Sequence, residues 1–167
     1  MIIRTERTTL EPISPALARR IVERDERDGD AWHPEYPFAD ELGPLRGLAE
    51  STTGDPIFTL YAIRDADGTA VGGLGFFGPP DSDGRVEFGY GLVPAARGVG
   101  LATEAVVGAL SFAAAHGAER AAAQTDVTNV ASQRVLLKAG LAETGRTATT
   151  VSFARELRQE TQAMIEA

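Results

Sequence analysis

One stretch of this sequence restricts the fold more than any other. Leu101–Ala115 runs for fifteen residues with a single charged side chain, Glu104, and is followed by His116-Gly117, a usual helix end. A helix with so little charge has to be buried. It begins directly after "VPAARGVG", a turn with a proline and two glycines. The sequence therefore predicts a strand, a glycine turn and a covered helix in succession.

The rest of the chain alternates between strand and helix periodicity. Strands are predicted over residues 2–10, 57–63, 70–77, 85–93, 121–125, 141–146 and 149–157. Helices are predicted over 15–29, 45–50, 101–115 and 129–139, the first with Ser14 as N-cap and Pro15 as its first residue. This order predicts a mixed α/β fold with one central sheet.

Composition limits the classes of function. The 167 residues predict a single domain over 1–167, with 158–167 as a polar tail. The absence of cysteine excludes thiolate chemistry, and two isolated histidines disfavour a metal site. The first residues lack an apolar leader and no run approaches about 20 apolar residues, so we expect a cytoplasmic protein with no membrane contact. A net charge of −8 disfavours a nucleic-acid partner.

Acidic residues are concentrated near the N-terminus. Eight lie between Glu23 and Glu41, against two arginines. The run is typical of a solvated helix end and loop, and it is equally a field that would attract a cationic substrate such as an amine. Charge alone does not decide between the two.

The glycine turn before the buried helix indicates an anion site. Unpaired N–H groups and the helix dipole favour negative charge at a helix start, and glycines allow the backbone to come close to it. The turn lacks the G-x-x-x-x-G-K-[ST] pattern of a nucleoside-triphosphate loop. It also lacks the third glycine of a dinucleotide fingerprint. A phosphate-bearing ligand of another kind is the natural occupant.

Three motifs in order carry a resemblance to a known family. The turn fits Arg-x-x-Gly-x-Ala, the strand before it reads "VEFGYGLVP", and the later helix reads "NVASQRVLLKAGL". Together they resemble the GNAT N-acetyltransferase superfamily, in its RimJ/RimL-like ribosomal-protein branch. The resemblance covers residues 4–157 and implies a mostly antiparallel sheet whose central strands splay apart, flanked by helices.

The resemblance also implies where acetyl-CoA, the co-substrate, binds. Its pantetheine arm would lie between the splayed strands, on the backbone of Leu92 and Val93 and opposite Asn129 and Ser132. Its pyrophosphate would lie on the loop, held by Gly98, Gly100, Leu101, Ala102, the Thr103 hydroxyl and the charge of Arg97. No metal is implied.

Acetyl transfer to an amine needs a base, because amines are largely protonated near neutral pH. Glu87 is the candidate, since it shares one face of its strand with Gly89 and Gly91. The alternative is an exposed cross-strand pair. The developing oxyanion would meet an N–H near Leu92.

The departing thiolate needs a proton donor as well. The family's usual tyrosine is replaced here by Leu136, so Ser132 is the candidate donor. The alternative is a serine that only bonds backbone in the first turn of its helix.

The acceptor pocket is expected in the proline-rich loop, on Trp32, His33 and Tyr36, although such aromatics also serve as loop anchors.

We therefore expect an acetyl-CoA-dependent N-acetyltransferase that acts by direct attack on the thioester. The acceptor is a primary amine, either of a small molecule or of a protein N-terminus, and a homodimer stays open. The alternative is a domain that binds acyl-CoA without turnover, as a sensor or partner module.

Overall fold

The computed structural model describes residues 1–157. Its strands are β1 Ile3–Arg4, β2 Thr9–Pro12, β3 Leu60–Arg64, β4 Ala70–Phe76, β5 Arg85–Leu92, β6 Arg120–Asp126, β7 Ala142–Arg146 and β8 Thr150–Glu156. Its helices are α1 Pro15–Val22, α2 Leu42–Glu50, α3 Leu101–Ala115 and α4 Val130–Lys138, with short 3-10 turns at Ala39–Glu41 and Pro94–Ala96. The predicted polar tail lies outside the described residues.

The strands form one sheet in the order β1-β2-β3-β4-β5-β6-β8-β7. Every pairing is antiparallel except that of β5 with β6, which are parallel and paired over only three residues each, from Arg85↔Arg120 to Glu87↔Ala122. Beyond that point β5 stays on β4 and β6 stays on β8. The mixed, mostly antiparallel sheet with splayed central strands is therefore confirmed.

Helix α3 has the bounds that its lack of charge predicts. Five of its residues are buried in the core, and they are mostly small: Ala105, Val106, Ala109, Leu110 and Ala113. Small side chains bring a helix close to the sheet that it covers. No helix within residues 1–157 is long and apolar enough to cross a membrane.

The N-terminal segment differs from its predicted single strand over 2–10. It is a hairpin, because the Thr5 N–H donates to the Thr8 carbonyl at 2.9 Å and turns the chain between β1 and β2. The first helix is also shorter than predicted. It begins at Pro15 with Ser14 as N-cap, as expected, but ends at Val22, and Arg24 has a positive φ of 56° that is incompatible with a continuing helix.

Two further boundaries differ for local reasons. Helix α2 begins at Leu42 rather than 45, because a proline in the first turn of a helix costs no hydrogen bond and Pro44 is accommodated there. Strand β3 begins at Leu60 rather than 57, because the Asp55 carboxylate accepts the N–H groups of Ile57 and Phe58 and holds them in a turn.

We predict opposite effects of two glycine-to-alanine changes. A Cβ at Gly72 in β4 would lie 2.2 Å from the Gly91 carbonyl oxygen, so Gly72→Ala should reduce the free energy of unfolding by about 1–3 kcal/mol. Gly47 is exposed in α2 with open space around it, so Gly47→Ala should increase that free energy by about 0.5–1 kcal/mol. Urea unfolding of both variants checks this, and an equal effect of the two would contradict the packing of β4 on β5.

Candidate functional site

The loop between β5 and α3 has the backbone of an anion site. Gly98 and Gly100 both lie in the left-handed region, with φ of 87° and 85°, which other residues adopt at a cost. Gly100 is the N-cap of α3, and the helix has no side-chain cap. Glu104 N–H, bonded to the Gly100 carbonyl at 3.1 Å, makes the first helical bond. The preceding N–H groups, from Leu101 to Thr103, are therefore those that a helix leaves open for a ligand.

The N-terminal hairpin fixes this loop. The Arg7 guanidinium donates to the Val99 carbonyl at 2.8 Å and to the Glu104 carboxylate at 3.0 Å. Burial opposes ionisation of Glu104, but hydrogen bonds from Thr5 and Arg7 outweigh it and keep the pKa of Glu104 below its ordinary value. The carboxylate at the start of α3 is thus paired within the fold.

Two backbone hydrogen bonds show which way the N–H groups of β5 point. Phe77 N–H donates to the Glu87 carbonyl at 2.9 Å, and Val93 N–H donates to the Val71 carbonyl at 2.8 Å. Because bonded and non-bonded pairs alternate in an antiparallel ladder, odd-numbered residues of β5 bond to β4 and even-numbered ones point the other way. The N–H groups of Tyr90 and Leu92 therefore face the gap that opens between β5 and β6.

Helix α4 forms the other wall of this gap. Asn129 is its N-cap, and its side-chain oxygen accepts the Ser132 N–H at 3.0 Å. The Ser132 hydroxyl lies 2.8 Å from the Tyr90 hydroxyl, which also donates to the Ser132 carbonyl at 3.1 Å. Burial raises the pKa of Tyr90, so the phenol stays protonated. Leu136 is fully buried in the core.

A cavity of about 210 Å³ lies against β4 and β5, reaching Gly89, Tyr90 and Gly91. Cross-strand glycine pairs, Gly73 with Gly91 and Gly75 with Gly89, leave β4 and β5 without side chains there. Apolar side chains supply most of the wall: Ile13, Phe38, Leu45, Leu60, Tyr61 and Phe77. Asp40 and Glu41 are the only charged residues that line the cavity within residues 1–157.

Glu41 occupies the notch left by one of these glycine pairs. A Cβ at Gly73 would lie 3.3 Å from its carboxyl carbon, and one at Gly91 would lie 3.9 Å from its Oε1. Oε1 is buried and has no hydrogen-bond partner within the described residues. Burial raises the pKa of Glu41 to about 8; the Gly73 N–H opposes this and the Asp40 carboxylate adds to it.

The predicted site residues fall into two groups. The first group lies on the elements that border the gap: the loop residues from Arg97 to Thr103, with Leu92, Val93, Asn129 and Ser132. Arg97 folds back instead of extending to the rim, with its Nε donating to the Leu92 carbonyl at 3.0 Å and its guanidinium 4.8 Å from the centre of the Phe38 ring.

Of the predicted acceptor residues, only Tyr36 lines the cavity. Its hydroxyl is buried and has no partner within residues 1–157. Trp32 lies behind Tyr36, with ring centres 6.1 Å apart, and the His33 ring accepts the Glu35 N–H. Glu87 is half-exposed, lies 3.7 Å from Arg85 and is not among the cavity residues. These assignments stay predictions.

The acetyltransferase (GNAT) domain family matches residues 7–142. This chain belongs to the GNAT acetyltransferase family. An uncharacterized N-acetyltransferase, YjdG of Bacillus subtilis, is 26% identical over 151 residues, which are 84% of this chain and 89% of the relative.

Solved structures agree with the family and the fold. A probable GNAT acetyltransferase of Chromobacterium violaceum is 27% identical with a TM-score of 0.68, over 96% of this chain and 88% of that chain. RimL, a ribosomal L7/L12 α-N-protein acetyltransferase in complex with coenzyme A, superposes with a TM-score of 0.70 at 17% identity, over 93% and 98%. The chain is thus an acetyltransferase of a family whose acetyl donor is acetyl-CoA.

Neither Glu41 nor Tyr90 is a candidate site residue on the sequence alone. In the sequence Glu41 is only the last member of the acidic run, and of the four residues that follow it, "LGPL", only Leu45 is buried. Tyr90 was placed on the correct strand, yet its contact with Ser132 depends on α4, forty-two residues further on. Both residues meet the site through partners remote in sequence.

We predict that Gly100→Asp abolishes the increase in melting temperature that coenzyme A gives the wild-type chain. The carboxylate would lie where the pyrophosphate is expected and would repel it. In the wild-type chain, a ligand at a hundred times its Kd increases the free energy of unfolding by about 2.7 kcal/mol. Gly100→Asn is the control, because asparagine matches aspartate in size and in tolerance of a positive φ but carries no charge. Equal shifts in wild type and Gly100→Asp would remove the loop from the phosphate site.

We also predict that Glu41 makes stability depend on pH. Its folded pKa of about 8 exceeds the ordinary 4.5, so its stabilising contribution is present below about pH 4.5 and is lost as pH rises through 8. Glu41→Gln is neutral throughout. Relative to this variant, the wild-type chain should lose free energy of unfolding, on the order of a few kcal/mol, between about pH 5 and about pH 9. Urea unfolding measures it, and a constant difference across pH would contradict the raised pKa.

Proposed function

We propose that this chain transfers the acetyl group of acetyl-CoA to a primary amine that binds in the cavity, by direct attack of the amine on the thioester. One observation carries the proposal: β5 serves two sites at once. The N–H groups of Tyr90 and Leu92 face the gap on one edge of the strand, and Gly89 and Gly91 line the cavity on its face. The donor and the acceptor therefore meet at the same three or four residues.

Three features support acetyl-CoA as the occupant of the gap. The loop glycines and the first turn of α3 present N–H groups to a pyrophosphate. The gap between β5 and β6 gives an extended arm a free strand edge with which to pair. Asn129 and Ser132 lie across that edge on α4. Acetyl-CoA supplies an activated acyl group with a thiolate leaving group, and the N–H of Leu92 is placed to stabilise negative charge that develops on the thioester oxygen.

The amine has to lose a proton before it attacks. Glu87 is the base that the sequence predicts; it shares a face of β5 with Gly89 and Gly91 but is not among the residues that line the cavity. Its neighbour Arg85 and its exposure are compatible with either a catalytic or a structural pair. Removal of its charge in Glu87→Gln, measured in the same assay as the changes below, decides its role.

The thiolate leaves on the α4 side of the strand. Ser132 is the proton donor that the sequence predicts, and the Tyr90 hydroxyl at 2.8 Å supports it. A coenzyme A thiolate has a pKa near that of cysteine, about 8.5, so a single hydrogen bond is enough help. Tyr90 would hold the serine hydroxyl in position, with Ser132 making the contact.

We predict that Ser132→Ala lowers kcat about tenfold, on the order of one hydrogen bond of 1–1.5 kcal/mol, with little change in acetyl-CoA affinity. Tyr90→Phe should lower kcat by a similar factor, and the double variant should lose less than the product because the two hydroxyls act together. Ser111→Ala, an exposed serine of α3, is the control. If Ser132→Ala lowers the melting temperature but leaves the rate intact, Ser132 is structural.

The choice between a small amine and a protein N-terminus follows from an acceptor screen. Solved relatives include a spermidine N-acetyltransferase chimera and ribosomal-protein acetyltransferases, so the fold itself does not select the acceptor. Release of free coenzyme A thiol is followed with small amines and with short peptides in parallel. Absence of release with every acceptor would contradict the proposed function.

Three expectations from the sequence stay predictions. They are a single domain over 1–167, a cytoplasmic location and the possibility of a homodimer. Light scattering of the purified full chain measures its mass in solution and settles the last.

A further inference from the structure

We propose that Glu41 is the group that binds the acceptor amine and removes its proton, and that the acceptor is a small apolar primary amine without a carboxylate. This inference rests on the proposed acetyl transfer and deepens it. It assigns a role to a carboxyl group that neither the sequence motifs nor the family match identifies.

The position of Glu41 is the first argument. It ends the 3-10 turn Ala39–Glu41, and its carboxyl enters the notch between Gly73 and Gly91. Gly91 lies between Tyr90 and Leu92, whose N–H groups face the gap on the edge of β5. The carboxyl therefore approaches the reacting stretch of β5 from the cavity face, while the acyl donor is expected along its edge.

The missing partner is the second argument. A buried carboxyl oxygen without a hydrogen bond costs free energy, and proteins rarely retain one. The groups that face Glu41 are the Tyr36 phenol, the Asp40 carboxylate and the Gly73 N–H. None of them is a cation. An ammonium group in the cavity would supply the missing donor and the missing positive charge together.

Two arginines that act on cavity residues, Arg64 on Tyr36 and Arg97 on Phe38, are already engaged. Arg64 is bonded to the Glu11 carboxylate at 3.1 Å and to backbone carbonyls. Arg97 donates to the Leu92 carbonyl and lies over Phe38 at the cavity wall. Neither of them lines the cavity.

The lining sets the class of acceptor. Apolar and aromatic side chains line the cavity around the Glu41 carboxyl, whereas Asp40 is exposed, so the body of the amine should be apolar. A carboxylate on the acceptor would meet Asp40 and Glu41 with no cation among the lining residues. The cavity volume of about 210 Å³ is enough for a small ring or a short alkyl chain.

The proton steps balance as follows. The bound ammonium gives one proton to the Glu41 carboxylate and becomes a neutral amine. Its nitrogen forms a bond to the thioester carbonyl carbon, the carbon–sulfur bond breaks, and the second nitrogen proton passes by way of Ser132 to the departing thiolate. The products are the amide and the free thiol, and Glu41 returns its proton to solvent.

The test compares Glu41→Gln with wild type, using 2-phenylethylamine and acetyl-CoA, over a range of pH. Wild-type kcat/KM should fall as pH decreases through the raised pKa of Glu41, about 8. Glu41→Gln should lose about 10²-fold or more in kcat/KM and lose this inflection, leaving only the titration of the amine. Glu50→Gln, an exposed glutamate at the end of α2, is the matched control and should behave as wild type.

A second measurement does not depend on turnover. With coenzyme A present, 2-phenylethylamine should increase the melting temperature of the wild-type chain and of Glu50→Gln, and fail to do so for Glu41→Gln. A wild-type rate and shift in Glu41→Gln, or a loss of rate and inflection in Glu87→Gln alone, would overturn the assignment.

The acceptor class is tested with phenylalanine, which differs from 2-phenylethylamine by one carboxylate. Its kcat/KM should be at least 10-fold lower than that of 2-phenylethylamine, by the cost of one unpaired carboxylate. Equal or better use of phenylalanine would overturn the class. If other amines or peptides release thiol and 2-phenylethylamine does not, the inference fails while the proposed function stands. If no acceptor releases thiol, both fail.

Discussion

The parallel pairing of β5 with β6 ends after three residues, and the candidate site depends on the gap that opens beyond them. Had the pairing continued, the N–H groups of Tyr90 and Leu92 would have been bonded to β6 and closed to any ligand. Each of the two strands is still paired on its other edge: β5 pairs with β4 as far as Leu92, and β6 pairs with β8 as far as Asp126. A sheet thus provides unpaired backbone donors in its interior, without the exposed edge that normally accompanies them.

Much of this arrangement could be predicted from local sequence. The buried helix and the glycine turn before it are each determined by residues within a few positions. Helix α3 has its predicted bounds, and α4 begins and ends one residue inside its predicted range. The errors were also local in origin: Thr5 turns the first strand, and Asp55 delays the third. In both cases a side chain or turn bonded backbone that the hydrophobic pattern had assigned to a strand.

The acceptor side could not be predicted in the same way. Glu41 has the neighbours of a solvated acidic loop, and its burial is caused by glycines thirty-two and fifty positions later that face each other across two strands. Strand alternation puts Glu87 on the same face of β5 as Arg85 and Gly89, but it could not show that the cavity does not reach Glu87. Whether a carboxyl group is buried or exposed is a property of tertiary packing, and the pKa of the group follows from it.

Arg97 connects the glycine loop before α3 with the wall of the cavity. Its Nε holds the last carbonyl of β5 while its guanidinium covers Phe38, so the loop that is expected to receive the pyrophosphate and the wall of the acceptor cavity share one side chain. Any displacement of Arg97 by one ligand alters the surface offered to the other. Thermodynamic reciprocity then requires that the factor by which acetyl-CoA changes acceptor affinity equals the factor by which the acceptor changes acetyl-CoA affinity. Coupling of this kind would act through the position of a single arginine.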